Sequence, residues 1–63
     1  MATVLLSFKE VSARTSLSRS TIYRLLDEGS FPLPIYLGTR RAFIEAEVED
    51  WILSRIAEAR AAA

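Results

Sequence analysis

The fold is decided by residues 7–29, which read SFKEVSARTSLSRSTIYRLLDEG. The Ser-x-x-Glu spacing of Ser7 and Glu10 predicts a capping box, in which each side chain accepts a hydrogen bond from a backbone N–H at the start of a helix. Leu6 before the cap and Val11 after it are placed to form a hydrophobic staple. These signals predict a first helix that begins directly after the serine cap.

A second helix is predicted after a short break. The apolar pattern of the first helix fails at residues 15–16, and Ser18 offers a second side-chain cap. The apolar stripe of the second helix consists of Ile22, Leu25 and Leu26. This helix is predicted to end at Gly29, which adopts the left-handed conformation readily. Two helices separated by about three or four residues predict a helix-turn-helix, with Ser16 standing where many such turns carry glycine.

A small hairpin is predicted next. A Phe-Pro-Leu-Pro segment holds the chain extended, because its two prolines forbid a helix. Strands are predicted at residues 35–37 and 42–44, with a turn at 38–40 between them. This turn places Arg40 and Arg41 at or beside the tip of the hairpin, in solvent.

A third helix is predicted from about Glu45, with apolar residues at helical spacing. These residues are Val48, Trp51, Ile52 and Ile56. Trp51 is interpreted as core filling because it shares a face with the others, and an exposed anchor for a partner is the alternative. Residues 60–63 lack an apolar stripe and are expected to fray.

Length and composition limit the fold and the function. The chain has 63 residues with no His and no Cys. It is predicted to form a single domain over residues 1–63, with a core at about 5–58, that is mainly α with a small β-hairpin. Without thiolate or imidazole groups, we expect no enzyme activity, metal, cofactor or small-molecule substrate. No apolar run is long enough to span a bilayer, so no membrane partner and a cytoplasmic, nucleoid-associated location are expected.

The net charge of zero conceals a split along the chain. Residues 1–44 carry six basic and three acidic residues, for a net charge of +3. Residues 45–63 carry two basic and five acidic residues, for a net charge of −3. A molecule divided in this way can present a basic face to phosphate and an acidic face elsewhere. Chance and the preference of acidic residues for helix N-termini are the alternative explanations.

One face of the second helix carries residue types suited to a DNA major groove. Ile22 is placed toward the core, and each residue advances by about 100° around the helix. The opposite face then holds Ser20, Arg24 and Asp27, flanked by Tyr23 and Thr21. Arginine can fork onto guanine, and the hydroxyls can bond to bases or phosphates. An ordinary amphipathic helix with a solvated polar face is the alternative.

The hairpin arginines favour the nucleic-acid interpretation. A helix-turn-helix followed by a two-stranded ribbon is a winged-helix layout. With Arg40 and Arg41 at its tip, such a wing lies over a phosphate backbone or inserts an arginine into a narrow minor groove. Keeping an edge strand soluble is the alternative role for paired arginines. Two adjacent basic elements around one core favour double-stranded DNA as the partner.

The ordered motifs LSRSTIYRLL, GSFPLPIYLG, an Arg pair and EVEDWI resemble a known family. Across residues 5–52 the chain resembles the AlpA family of small phage and prophage regulators, relatives of excisionases within the MerR-like winged-helix group. The resemblance implies sequence-specific binding to double-stranded DNA. The residues implied to bind are Ser18, Arg19, Ser20, Thr21, Tyr23 and Arg24 in the recognition helix and Arg40 and Arg41 in the wing. The chain departs from the family at residues 42–44, where relatives often carry a more polar, Trp-containing stretch.

Two roles follow from the resemblance. The first is a transcriptional regulator that activates an integrase or neighbouring prophage gene. The second is a recombination directionality factor that bends attachment-site DNA. A small protein-interaction module without DNA binding, anchored by Trp51, is the rival to both. A second copy of the chain, bound cooperatively at repeated sites, is a further expected partner.

Overall fold

The computed structural model describes residues 3–62, which form three helices and three short strands. In chain order these are β1 (Leu5–Leu6), α1 (Phe8–Thr15), α2 (Arg19–Asp27), β2 (Ile35–Leu37), β3 (Arg40–Ile44) and α3 (Glu45–Ala62). Helices α1 and α2 form the helix-turn-helix, and β2 and β3 form the wing. The predicted winged helix, mainly helical with a small β-hairpin, is confirmed.

The predicted helix caps are present. The Ser7 backbone N–H donates to Glu10 Oε1 at 2.8 Å, and the Glu10 N–H donates to Ser7 Oγ at 3.2 Å, which completes the capping box. The bond from the Ser7 backbone lowers the pKa of the Glu10 carboxyl below its usual value, because it stabilises the charged form. At α2, the Thr21 N–H donates to Ser18 Oγ at 3.3 Å. Gly29 follows α2 with a left-handed φ of 75°.

The turn between α1 and α2 depends on Ser16, which has a left-handed φ of 61°. The turn is also held by Ser12, whose Oγ donates to the Leu17 carbonyl oxygen at 2.6 Å. A residue with a Cβ is unfavourable in the left-handed region, whereas glycine adopts that conformation at little cost. The sequence therefore places a strained serine at the position where glycine is the usual residue.

We expect Ser16→Gly to stabilise the protein by about 1 kcal/mol, because glycine removes the cost of holding a Cβ in a left-handed conformation. A thermal melt monitored by circular dichroism measures the change. Ala13→Gly is the control, because Ala13 lies inside α1. At this helical position, the replacement of alanine by glycine should lower the stability of the protein by about 0.5–1 kcal/mol. A lower melting temperature for Ser16→Gly would show that the serine side chain stabilises the turn.

The strand β1 was not predicted. It pairs antiparallel with β3, with Leu5 opposite Ile44 and Leu6 opposite Phe43, so the sheet has three strands in the order β1-β3-β2. The Glu45 N–H extends this pairing by donating to the Val4 carbonyl oxygen at 2.9 Å. The expected hairpin of β2 and β3 is therefore extended by a third strand, which ties residues 4–6 to the start of α3.

The wing turn is shorter than predicted. Gly38, with a left-handed φ of 66°, and Thr39 form a two-residue loop, and β3 begins at Arg40. Arg40 pairs with Leu37, and Arg41 pairs with Tyr36. Both arginines therefore lie within a strand, with Arg40 directly beside the loop and Arg41 one residue further from it. Their side chains point to opposite faces of the sheet.

The hydrophobic core lies where α1, α2, β3 and α3 meet. Its buried side chains are Leu6, Val11, Ile22, Phe31, Phe43 and Val48. Phe43 is fully buried and packs edge-on against two other rings, Phe8 and Phe31, each with a centroid distance of 5.9 Å. Residues 42–44 thus form part of the central strand, and Phe43 places its ring in the core.

Helix α3 runs for 18 residues, past the point where the core ends. Residues 60–62, where fraying was expected, are helical in the structure, and Ala63 lies outside the described residues. Alanine is the best helix former, so an Ala-rich segment extends a packed helix without an apolar stripe. Within residues 3–62 no helix combines the length and apolar character needed to cross a bilayer.

Candidate nucleic-acid interface

The outer face of α2 has the predicted composition. Ile22 is fully buried on the inner face, and Ser20, Arg24 and Asp27 are exposed on the other. Arg24 makes no side-chain hydrogen bond or ion pair within residues 3–62, so its guanidinium is available to a partner. Asp27 lies at the C-terminal end of this face, which confines the basic part to its first two turns.

Ser18 and Thr21 have a different environment from the rest of the predicted set. Their hydroxyl oxygens lie 2.9 Å apart and share a hydrogen bond, while Ser18 Oγ also accepts from the Thr21 N–H. Thr21 is half-buried. Ser18 caps α2 and the Thr21 hydroxyl bonds to this cap, so both side chains stabilise the start of the helix.

Aromatic rings position the cations beside α2. The guanidinium carbon of Arg19 lies 5.2 Å from the centroid of Phe8, and the Tyr23 ring centroid lies 4.9 Å from the same point. Cations are attracted to the faces of aromatic rings. Phe8, at the start of α1, therefore links the first residue of α2 to the middle of that helix.

The prediction that Arg41 lies in solvent is wrong. Arg41 is half-buried, and its Nη1 donates to the Tyr23 hydroxyl at 3.2 Å. Hydrogen bonding, first to Tyr23 and then to Tyr36, raises the pKa of the guanidinium above its usual value. Successive side chains along β3 alternate between the two faces of the sheet. Arg41 therefore lies on the same face as the buried Phe43 and points toward the helices.

Arg40 is the exposed member of the pair. It begins β3 opposite Leu37, which is 56% exposed, next to the tip of the wing. It has no ion pair within the described part of the chain. Of the two wing arginines, Arg40 thus has the freely presented charge.

Ion pairs divide the basic residues into two groups. Arg14 Nη1 lies 2.9 Å from Glu45 Oε2 and 3.4 Å from Glu49 Oε1, so α1 is tied to the acidic start of α3. Arg55 pairs with Glu58 on α3 at 3.5 Å. Six basic residues have no acidic partner in residues 3–62. Four of them lie on α2 and the wing, namely Arg19, Arg24, Arg40 and Arg41, and the other two are Lys9 on α1 and Arg60 in the last turn of α3. Uncompensated cations are therefore concentrated on the elements predicted to meet DNA.

Sequence reasoning missed two aromatic residues that organise this surface. The sequence pattern places Phe8 only on the inner face of α1, and Tyr36 only in a strand. A two-residue loop at 38–39 would have predicted the pairing of Tyr36 with Arg41, because loop length sets the register of a hairpin. The three-residue turn predicted at 38–40 implied a different register, so the pairing of Tyr36 with Arg41 was not predicted. No local pattern indicates that Phe8 lies between the cations of α2 and the wing.

Comparison with known proteins identifies the family. Residues 4–56 match the family described as prophage CP4-57 regulatory protein (AlpA). The chain is 45% identical over 49 residues to the uncharacterized protein ORF88 of enterobacteria phage P4. That match covers 76% of this chain and 56% of the relative, so the chain spans little more than half the length of this relative. No solved structure matches significantly. The chain therefore belongs to the AlpA family of prophage regulatory proteins.

Proposed function

We propose that this protein binds double-stranded DNA at specific sequences, with α2 in the major groove and the wing on the adjacent backbone or minor groove. The observation that carries the proposal is the set of uncompensated arginines on α2 and the wing, next to a helix face of short polar side chains. Family membership supports it, because the family is described as regulatory. The proposed unit is the single domain over residues 1–63, with its core at about 5–58.

The polar residues at the start and on the outer face of α2, and Arg40 in the wing, have the following proposed contacts. Arg24 forks onto a guanine edge, and Ser20 bonds to a base or phosphate beside it. Arg19 and Tyr23 contact the backbone near the start of α2. Ser18 and Thr21 act mainly by capping this helix, and an N–H at its first turn can also meet a phosphate. Arg40 contacts the backbone from the wing.

We expect Arg40→Ala to weaken binding to specific and random duplexes alike, because a phosphate contact carries no sequence information. The slope of log K against log salt should fall by about one unit, since the variant neutralises one phosphate fewer. Fluorescence anisotropy at several salt concentrations measures both effects. Arg60→Ala is the matched control, since Arg60 lies at the far end of α3 and should leave the slope unchanged. A slope that Arg40→Ala does not alter would remove Arg40 from the interface.

The proposed biological role is transcriptional regulation, with activation of an integrase or neighbouring prophage gene as the specific form. The MerR-like relatives inferred from the sequence include excisionases, so bending of attachment-site DNA is the alternative role. A single module of this size buries about 600–1,000 Å² on DNA, and we propose that copies bind cooperatively at repeated sites to gain affinity. Genome-wide mapping of bound sites separates the roles: an integrase promoter supports activation, and attachment sites support excision control.

A further inference from the structure

We propose that Arg41 is a positioning residue that fixes the wing against the recognition helix and thereby sets the sequence preference of the protein. The inference rests on the proposed function, binding to duplex DNA. It separates Arg41 from its neighbour Arg40, although both were predicted to contact DNA in the same way.

Arg41 contacts three different elements of the fold. On α2, its Nη1 donates to the Tyr23 hydroxyl at 3.2 Å, and its guanidinium carbon lies 5.4 Å from the centroid of the Tyr23 ring. On α1, the same carbon lies 5.8 Å from the centroid of Phe8. On β2, it lies 5.9 Å from the centroid of Tyr36, the residue paired with Arg41 across the hairpin. One guanidinium group therefore joins the wing to both helices of the helix-turn-helix.

This contact is the main polar link between the wing and α2. Among residues 3–62, the bond from Arg41 to Tyr23 is the one side-chain hydrogen bond that connects them. All three residues of β2 are exposed, so the outer strand of the wing adds little burial that could fix its orientation. Arg41 Nε is buried and has no hydrogen-bond partner in the described residues, so this part of the half-buried guanidinium is shielded from solvent. Phe43 and the pairing with β1 anchor the inner part of β3. Without the Arg41 side chain, the outer end of the wing, formed by β2 and Arg40, would be free to pivot relative to α2.

The orientation of the wing matters because α2 and the wing must meet the same duplex at once. Phosphate contacts fix the register of a protein on DNA, and base contacts read the sequence only when that register is correct. A wing that pivots still offers the charge of Arg40 to any duplex. Such a wing no longer fixes the position of Arg24 relative to the base pairs. The affinity for the specific duplex therefore decreases more than the affinity for a random duplex does.

Arg41→Lys tests the proposal directly. Lysine keeps the positive charge, but its ammonium group has neither the flat surface nor the fork of guanidinium. We expect affinity for the specific duplex to fall about tenfold, because one charged hydrogen bond and the ring contacts are removed. Affinity for a random duplex and the salt slope should stay unchanged, because the charge is kept. Arg60→Lys is the control, because Arg60 lies in the last turn of α3, away from α2 and the wing, and it should leave both affinities unchanged.

A second variant distinguishes the loss of the Arg41–Tyr23 bond from a general loss of stability. Tyr23→Phe keeps the ring and removes the hydroxyl that accepts from Arg41. Loss of a backbone contact by the same hydroxyl would lower the affinity for both duplexes equally, so the discrimination between them reports the bond to Arg41. We expect it to reduce discrimination between the two duplexes, and to cause no further decrease when combined with Arg41→Lys. Non-additivity of this kind is the signature of two residues that act through one interaction.

Three results would overturn the inference. Full specific affinity in Arg41→Lys would make Arg41 a phosphate contact, for which a point charge is enough. An equal decrease on both duplexes, with a lower melting temperature, would make its role purely structural. Additive effects of Tyr23→Phe and Arg41→Lys would show that the two side chains act separately. If the wild-type protein shows no salt-dependent binding to duplex DNA, the proposed function is wrong and this inference falls with it.

Discussion

Trp51→Ala is expected to leave most of the protein unfolded. Trp51 lies on α3 and is half-buried against the core. Its ring centroid is 4.7 Å from that of Phe31. Its Nε1 donates to the Ser30 carbonyl oxygen at 2.6 Å, which ties α3 to the segment between α2 and the wing. Truncation of a tryptophan to alanine in a core costs about 3–5 kcal/mol. The total stability of a domain this small is about 3–5 kcal/mol, so the destabilisation is comparable to the whole.

A thermal melt of the variant beside the wild type measures this effect. Trp51→Phe is the control, because it keeps an aromatic ring against Phe31 while removing the bond to Ser30 and part of the indole. It should fold, with stability reduced by about 1 kcal/mol for the missing hydrogen bond. The rival view of Trp51 as an exposed partner anchor predicts the opposite: Trp51→Ala would fold normally and lose only cooperative binding on DNA with two sites.

Arg24→Ala is expected to cost about 1–3 kcal/mol of binding energy on the specific site and to relax the preference at one base pair. Arg24 is exposed on the face of α2 opposite the fully buried Ile22 and is free of ion pairs within residues 3–62. The substitution removes an exposed guanidinium that has no hydrogen bond or ion pair within residues 3–62, so the melting temperature should not change.

Gel shifts with the specific duplex, its single-base variants and random DNA measure the effect of Arg24→Ala. Lys9→Ala is a matched control, because Lys9 is an exposed cation on α1, outside the recognition face. It should leave the base preference intact. An equal decrease in affinity for specific and random DNA in Arg24→Ala would instead identify Arg24 as a phosphate contact.

Local sequence signals predicted most of the fold. The capping box at Ser7, the cap at Ser18 and the glycine at position 29 fix helix ends through contacts within a few residues, so they can be read from spacing alone. The buried stripe of α2 follows from helical periodicity for the same reason. Ser16 was identified as a poor fit to its turn, and its left-handed φ of 61° agrees with that interpretation.

The features that were missed depend on contacts between distant residues. Strand β1 has two residues, and it exists because Leu5 and Leu6 meet β3 across the fold. The position of Arg41 depends on the register of the wing, and a one-residue error in the predicted turn moved it from the inner face to the tip. Its contact with Tyr23 joins residues 18 positions apart, which no periodic pattern reveals.

Binding to duplex DNA at varied salt tests the proposed function most directly. The wild-type protein is titrated against a duplex enriched from a randomised pool and against a scrambled duplex, over a range of about 50 to 200 mM salt. We expect log K to fall linearly with log salt on both duplexes, and the enriched site to bind about a thousandfold or more tightly than the scrambled one. Failure to enrich any duplex, or binding that does not weaken as salt rises, would contradict the proposal that the uncompensated arginines of α2 and the wing form a DNA-binding surface.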